Sequence, residues 1–262
     1  MSLVQLNFDA TTGIARLAFD RPEVLNALDV PLARALNERV QGLAQQAGVR
    51  CVVLSGNGRA FMAGGDLARF ADDFDHADVV VDELLDALHP AILTLRQLDA
   101  PVLASVHGAV AGAGLSLMAG CDLVLAAQGT RFVMAYDRVG ASPDCGGTYD
   151  LPRLLGGRRA AQFYLFGETL SSEEALAIGL VNQVVAADAL AAMTHEWATR
   201  IAAGPTRAYG NYRRLVQQTW ASSLTDQLER ERASFKAATR TRDFRAGVQG
   251  FLRKHSVSFN GQ

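Results

Sequence analysis

A chain of 262 residues with 49% apolar residues can fill one large core, and neither a Pro/Ser linker nor a charge block marks a boundary between domains. Its net charge of −2 and pI near 6.2 offer no electrostatic attraction to nucleic acid or an anionic membrane, so neither is expected as a partner. Cys51, Cys121 and Cys145 lack metal-ligand spacing, which argues against a disulfide framework or a zinc site, and Lys236 and Lys254 lie far from every glycine-rich segment, which disfavours Schiff-base chemistry.

The opening MSLVQLNFDA has neither the basic nor the continuous apolar part of a secretory signal, and no run approaches a membrane span, so a cytoplasmic protein is expected. Val4, Leu6 and Phe8 alternate, and a turn at Asp9 to Gly13 leads into IARLAF, which predicts a β-hairpin that Arg21 and Pro22 end. Asp29 then caps a helix with Pro31 in its first turn and Leu32, Leu36, Val40 and Leu43 on one face. The continuous, β-branched run VRCVVLSG from Val49 predicts a strand buried on both faces.

Alternation continues with a helix around 79–98, the strand PVLASV, a small-residue helix from about Gly112 and the strand DLVLAA, which together read as βαβ units. Beyond Phe132 helices are favoured at 146–155, 158–166 and 172–179, the last opened by the capping box Ser171, Ser172, Glu173, Glu174. Helical periodicity then runs to about residue 252, so the chain divides into a core over 1–200 and a helical extension over 201–262.

Three segments carry chemistry. The turns FMAGGDL (61–67) and HGAVAGAGLSL (107–117) supply backbone donors, and FVMAYDRVGASPDCGGTYDLPRLLG (132–156) isolates one acid, Asp144, among apolar and glycine residues. Backbone donors facing a single acid suit enolate chemistry on a thioester. Asp144 also has the right position to cap the helix that follows, and burial among Val139, Pro143 and Leu151 would favour it as a base.

The order RPEVLNAL, FMAGGDL, PVLASVHGAVAGAGLSLMAGCDL, FVMAYDRVGASPDCGGTYDLPRLLG and ETLSSEEALAIGLVNQVV resembles the crotonase (enoyl-CoA hydratase/isomerase) superfamily over about residues 3–255. It is most similar to that superfamily's ring-1,2-epoxyphenylacetyl-CoA isomerase-like members. The resemblance implies an α/β fold in which ββα turns form a spiral of two near-perpendicular sheets, followed by helices that build a homotrimer or a dimer of trimers. It implies an acyl-CoA substrate whose thioester oxygen is held by two backbone N–H groups, at Ala63 and Ala113, and no cofactor beyond the CoA moiety. The start of a helix at Ala113 agrees, since its free N–H groups and positive dipole end favour a developing oxyanion.

By the same resemblance Leu25, Ala27, Leu28, Gly64, Gly65, Asp66, Leu67, Gly112, Ser116 and Tyr136 bind the substrate and its CoA, with Tyr136 either at the aromatic position near the acid of the dehalogenase branch or lining an acyl pocket. Ser116 and Tyr136 stand where hydratases carry their two glutamates, so water addition is disfavoured. Asp144 matches an acid of the isomerase and 4-chlorobenzoyl-CoA dehalogenase branches. His89 aligns with an active-site histidine of the dehalogenase branch, although a lone helix histidine fits a solvated role as well. The expected reaction is a double-bond shift or epoxide rearrangement, with hydratase, hydrolase and non-catalytic acyl-CoA binding as rivals.

Overall fold

The computed structural model describes residues 2–262. The hairpin forms as β1 (Val4–Asp9) and β2 (Ile14–Phe19), in antiparallel register from Val4 opposite Phe19 to Asp9 opposite Ile14. Helix α1 (Val30–Gln45) is capped as expected, with Asp29 Oδ1 accepting from the Leu32 N–H at 2.8 Å, and it leads to β3 (Cys51–Gly56). The short α2 (Ala68–Ala71) and long α3 (Ala77–Gln97) precede β4 (Val102–Val106), β5 (Ala109–Ala111), α4 (Ala113–Ala119), β6 (Leu123–Ala127) and β7 (Arg131–Val133).

The remaining elements are α5 (Gly147–Leu155), α6 (Gly157–Leu165), β8 (Thr169–Leu170), α7 (Ser172–Ala177), β9 (Gln183–Val185), α8 (Leu190–Ala202), α9 (Thr206–Gln218), α10 (Leu224–Ala238) and α11 (Arg242–Arg253). Ser171 and Glu174 form the capping box reciprocally. The two- and three-residue strands β5, β8 and β9 escape sequence reading because they are too short to show a period of two.

One sheet runs β1-β2-β3-β4-β6-β9, parallel from β2 onward, and a second runs β5-β7-β8. Alternate residues of each central strand serve different cores. Val52, Leu54, Val102, Ala104, Val124 and Ala126 join α1 and α3 in the larger core, while Cys51, Val53, Leu103 and Leu125 pack with Ala198 and Ala202 of α8 on the other face. Burial on both faces explains the unbroken apolar runs. In α9, the 5% exposed Arg213 donates to the carbonyls of Leu95, Leu98 and Ala100 and pairs with Asp122, which fixes the helix under the end of α3. Among the described residues no helix is long and apolar enough to cross a membrane.

Candidate active site

Two turns meet at the mouth between the sheets. A Cβ on Gly112 would lie 3.4 Å from the Gly64 Cα, so the backbones of the 61–67 and 107–117 segments touch there, and both glycines have positive φ, +105° at Gly64 and +49° at Gly112. Only glycine combines that conformation with that approach at little cost. The segment after Met62 runs beside residues 25–28: Ala63 N–H donates to Leu25 O at 3.0 Å, Leu28 N–H to Gly64 O at 2.7 Å, and Asp66 N–H to Leu28 O at 2.8 Å. The Gly64 C=O and the Gly65 N–H belong to one trans peptide, so with that carbonyl turned to Leu28 the Gly65 N–H points away from residue 28. Among the described residues neither Gly65 N–H nor Ala113 N–H has an acceptor.

The ladder depends on two residues that sequence reading passed over. Asn26 is fully buried in a left-handed conformation (φ 58°), donates from Nδ2 to Asn57 O, Ala60 O and Phe61 O, and accepts from the Arg21 N–H at 2.8 Å. Arg21 pairs with Asp29 at 2.8 Å and Asp66 at 3.4 Å and donates to Ala27 O at 2.7 Å. Their signal was the RPEVLNAL motif itself, whose polar members have no other visible reason to be there.

Opposite the turns stands the acid. Tyr136 opens a 3-10 turn (Tyr136–Val139) after Ala135, which has φ 65°, and its ring lies against Gly112. The Tyr136 hydroxyl donates to Asp144 Oδ1 and lies 3.3 Å from Ser116 Oγ on α4. Burial first, and then the nearby Asp144 charge, pushes the Tyr136 phenol well above its ordinary range, so it remains a donor. Cys145 (φ 53°) and Gly146 (φ 87°) turn the chain sharply after Asp144. The Asp144 carbonyl accepts from Gly147 N–H at 2.9 Å, while α5 has no side-chain cap, so the carboxylate is directed to Tyr136 and not to the helix.

Asp144 is half-buried, but Val139 is 51% exposed and does not enclose it, contrary to the sequence expectation. The Cys145 thiol is buried and pushed upward, first by desolvation and then by the adjacent Asp144 carboxylate, so it stays protonated. Behind the loop a cavity of about 20 Å³, room for one water, is lined by Ser116, Leu117, Cys121, Cys145 and Arg96. Arg96, at its edge, pairs with Asp150.

A family profile described as enoyl-CoA hydratase/isomerase matches residues 9–262. The chain belongs to that family. Among relatives of the enoyl-CoA hydratase/isomerase family, a 1,2-epoxyphenylacetyl-CoA isomerase of Escherichia coli K12 is 36% identical, covering 95% of this chain and 96% of the relative. A probable enoyl-CoA hydratase of Rhodobacter capsulatus is also 36% identical, across the whole of both chains. The crystal structure of a putative enoyl-CoA hydratase/isomerase from Mycobacterium abscessus superposes with a TM-score of 0.92 at 33% identity, covering 99% of this chain and 100% of that one. The fold is therefore that of the crotonases.

Within this family frame two expectations need correction, those for Ala63 and Leu28, while His89 takes the solvated place that a lone helix histidine suggests. Ala63 is not an available oxyanion donor, because its N–H is spent on Leu25 O; the unpaired amide on the same turn is that of Gly65. Leu28 is scaffold, not ligand-binding: its side chain is 1% exposed in the core and both its peptide groups pair with 64–66. His89 is exposed on α3, away from the buried face of Leu84, Leu88, Ala91 and Leu95, and no hydrogen bond links it to Asp144 or Tyr136. Asp66 does accept from Ala68 N–H at 3.3 Å but also pairs with Arg21, and Leu67 beside it is 53% exposed. Leu25 and Ala27 are half-buried beside the turn, with the Ala27 carbonyl already held by Arg21.

Proposed function

We propose that this enzyme isomerises acyl-CoA thioesters, shifting a double bond or rearranging a ring epoxide through an enolate. The observation that carries the reading is a single carboxylate, Asp144, tied through Tyr136 to a ring packed on Gly112, beside two unpaired amides. Gly65 and Ala113 would grip the thioester oxygen more strongly as it becomes an oxyanion, and loss of one such donor typically costs about 10² to 10³ in rate. Asp144 removes a proton from the α carbon, the electron pair enters the enolate, and the same carboxyl returns the proton at the γ carbon. The similarity to the E. coli epoxyphenylacetyl-CoA isomerase supports this choice.

Hydration fits less well. Ser116 and Tyr136 occupy the positions of the hydratase glutamates, are bonded to each other, and provide no second carboxylate to activate water. No cofactor beyond substrate CoA enters the scheme. The exposed Leu224, Leu228 and Phe235 of α10, which buries none of its own residues, and Phe251 and Leu252 of α11 support assembly as a homotrimer or dimer of trimers, to be checked by light scattering. The deciding assay sets trans-2-enoyl, trans-3-enoyl and epoxyphenylacetyl thioesters side by side. Isomerisation as the fastest reaction supports the reading, and water addition to the 2-enoyl substrate as the fastest overturns it.

A further inference from the structure

Tyr136 and Ser116 were expected among the substrate-binding residues, yet the Tyr136 hydroxyl is turned to Asp144 and the Ser116 hydroxyl to Tyr136. A phenol has one proton and two acceptor lone pairs. Once that proton is given to ionised Asp144 Oδ1, the 3.3 Å contact with Ser116 Oγ is made by the serine proton, which gives the chain one direction: Ser116 to Tyr136 to Asp144. Each member sits on a different segment. Ser116 is 1% exposed on α4, Tyr136 rests its ring on Gly112, and Asp144 stands on the sharp turn before α5.

We infer that Tyr136 is a positioning residue for Asp144, whose hydroxyl holds Oδ1, is itself oriented by Ser116, and leaves Oδ2 as the one oxygen that exchanges a proton with substrate. The inference rests on the reading of Asp144 as proton carrier and adds how it is held. An untethered carboxylate rotates and offers either oxygen, whereas a 1,3 shift needs one oxygen poised over both carbons. When Oδ2 takes the α proton, Oδ1 still accepts from Tyr136, so delivery at the γ carbon requires no rearrangement of the chain. The titratable groups facing Asp144 are Tyr136 and, on its own loop, Cys145, and among the described residues no ion pair includes it.

The test is Tyr136→Phe, which keeps the ring on Gly112 and removes the hydroxyl, assayed with trans-3-hexenoyl-CoA. A donor to a charged carboxylate is worth roughly a tenfold factor or more, so kcat should fall by about that much while KM is little changed. Ser116→Ala should lower kcat in the same way by less. Wild-type kcat in Tyr136→Phe would overturn the inference.

A second readout does not need turnover. Proton NMR of the resting enzyme should show an exchange-protected, downfield hydroxyl proton that is lost in Tyr136→Phe and displaced in Asp144→Asn. Its absence from the wild type also overturns the tie. The two failures are separable: Asp144→Asn with wild-type turnover removes the proton-carrier reading, and the resonance then decides the tie alone. Inactive Asp144→Asn beside an unchanged Tyr136→Phe removes the tie and leaves the carrier in place.

Discussion

The two sides of the site are built by different means. On the amide side, residues 25–28 and 61–66 are joined peptide to peptide, and one buried side chain, Asn26, gathers the carbonyls that remain. On the acid side, the 135–146 loop passes through left-handed residues Ala135, Gly140, Cys145 and Gly146, and Asp144 is held by the Tyr136 hydroxyl, which Ser116 contacts in turn. Side chains are free to change where peptide groups are not. A scaffold of this kind can keep its oxyanion donors while substitutions on the facing loop alter the chemistry.

That comparison is broken most severely at the acid. Asp144→Asn removes the proposed proton carrier without altering the amides, and general acid-base catalysis is worth about 10² to 10⁴, so isomerase turnover should fall by that order with acyl-CoA binding retained in a calorimetric titration. On the other side, Ala113→Pro deletes one donor at the first position of α4, where proline is best tolerated in a helix. A rate loss of about 10² to 10³ is expected, with circular dichroism confirming the fold.

Asn26→Ala separates scaffold from chemistry. It strands the buried carbonyls of Ala60 and Phe61 and the partly buried Arg21 amide and Asn57 carbonyl, and a stability loss of roughly 3 kcal/mol should appear in chemical denaturation. The smallest effect belongs far from both sides. Ser171→Ala removes one half of the α7 capping box and should cost about 1 kcal/mol, while kcat stays at the wild-type value.

What the sequence disclosed follows the same division. Elements with a period or a cap were legible: the Asp29 and Ser171 caps, the α1 face, and the apolar runs of β3, β4 and β6 are local signals that survive folding. Ala113 and Asp144 emerged from motif order. The assignment of a donor amide to Ala63 failed because the direction of a peptide N–H is set by which neighbour the strand pairs with, and the pairing with Leu25 and Leu28 joins segments almost forty residues apart. Tyr136 and Asp144 were placed in one site but not joined, because the seven residues between them follow no regular period and no spacing rule brings a hydroxyl to a carboxylate across such a loop.

The central claim is that one carboxyl moves one proton between two carbons of a substrate held by two amides. Its most direct test is trans-3-hexenoyl-CoA deuterated at the α carbon, with the position of the label in the 2-enoyl product read by NMR. The account predicts deuterium at the γ carbon with wild-type enzyme and no product above background with Asp144→Asn. Undiminished turnover by Asp144→Asn, with the label still transferred, would contradict it.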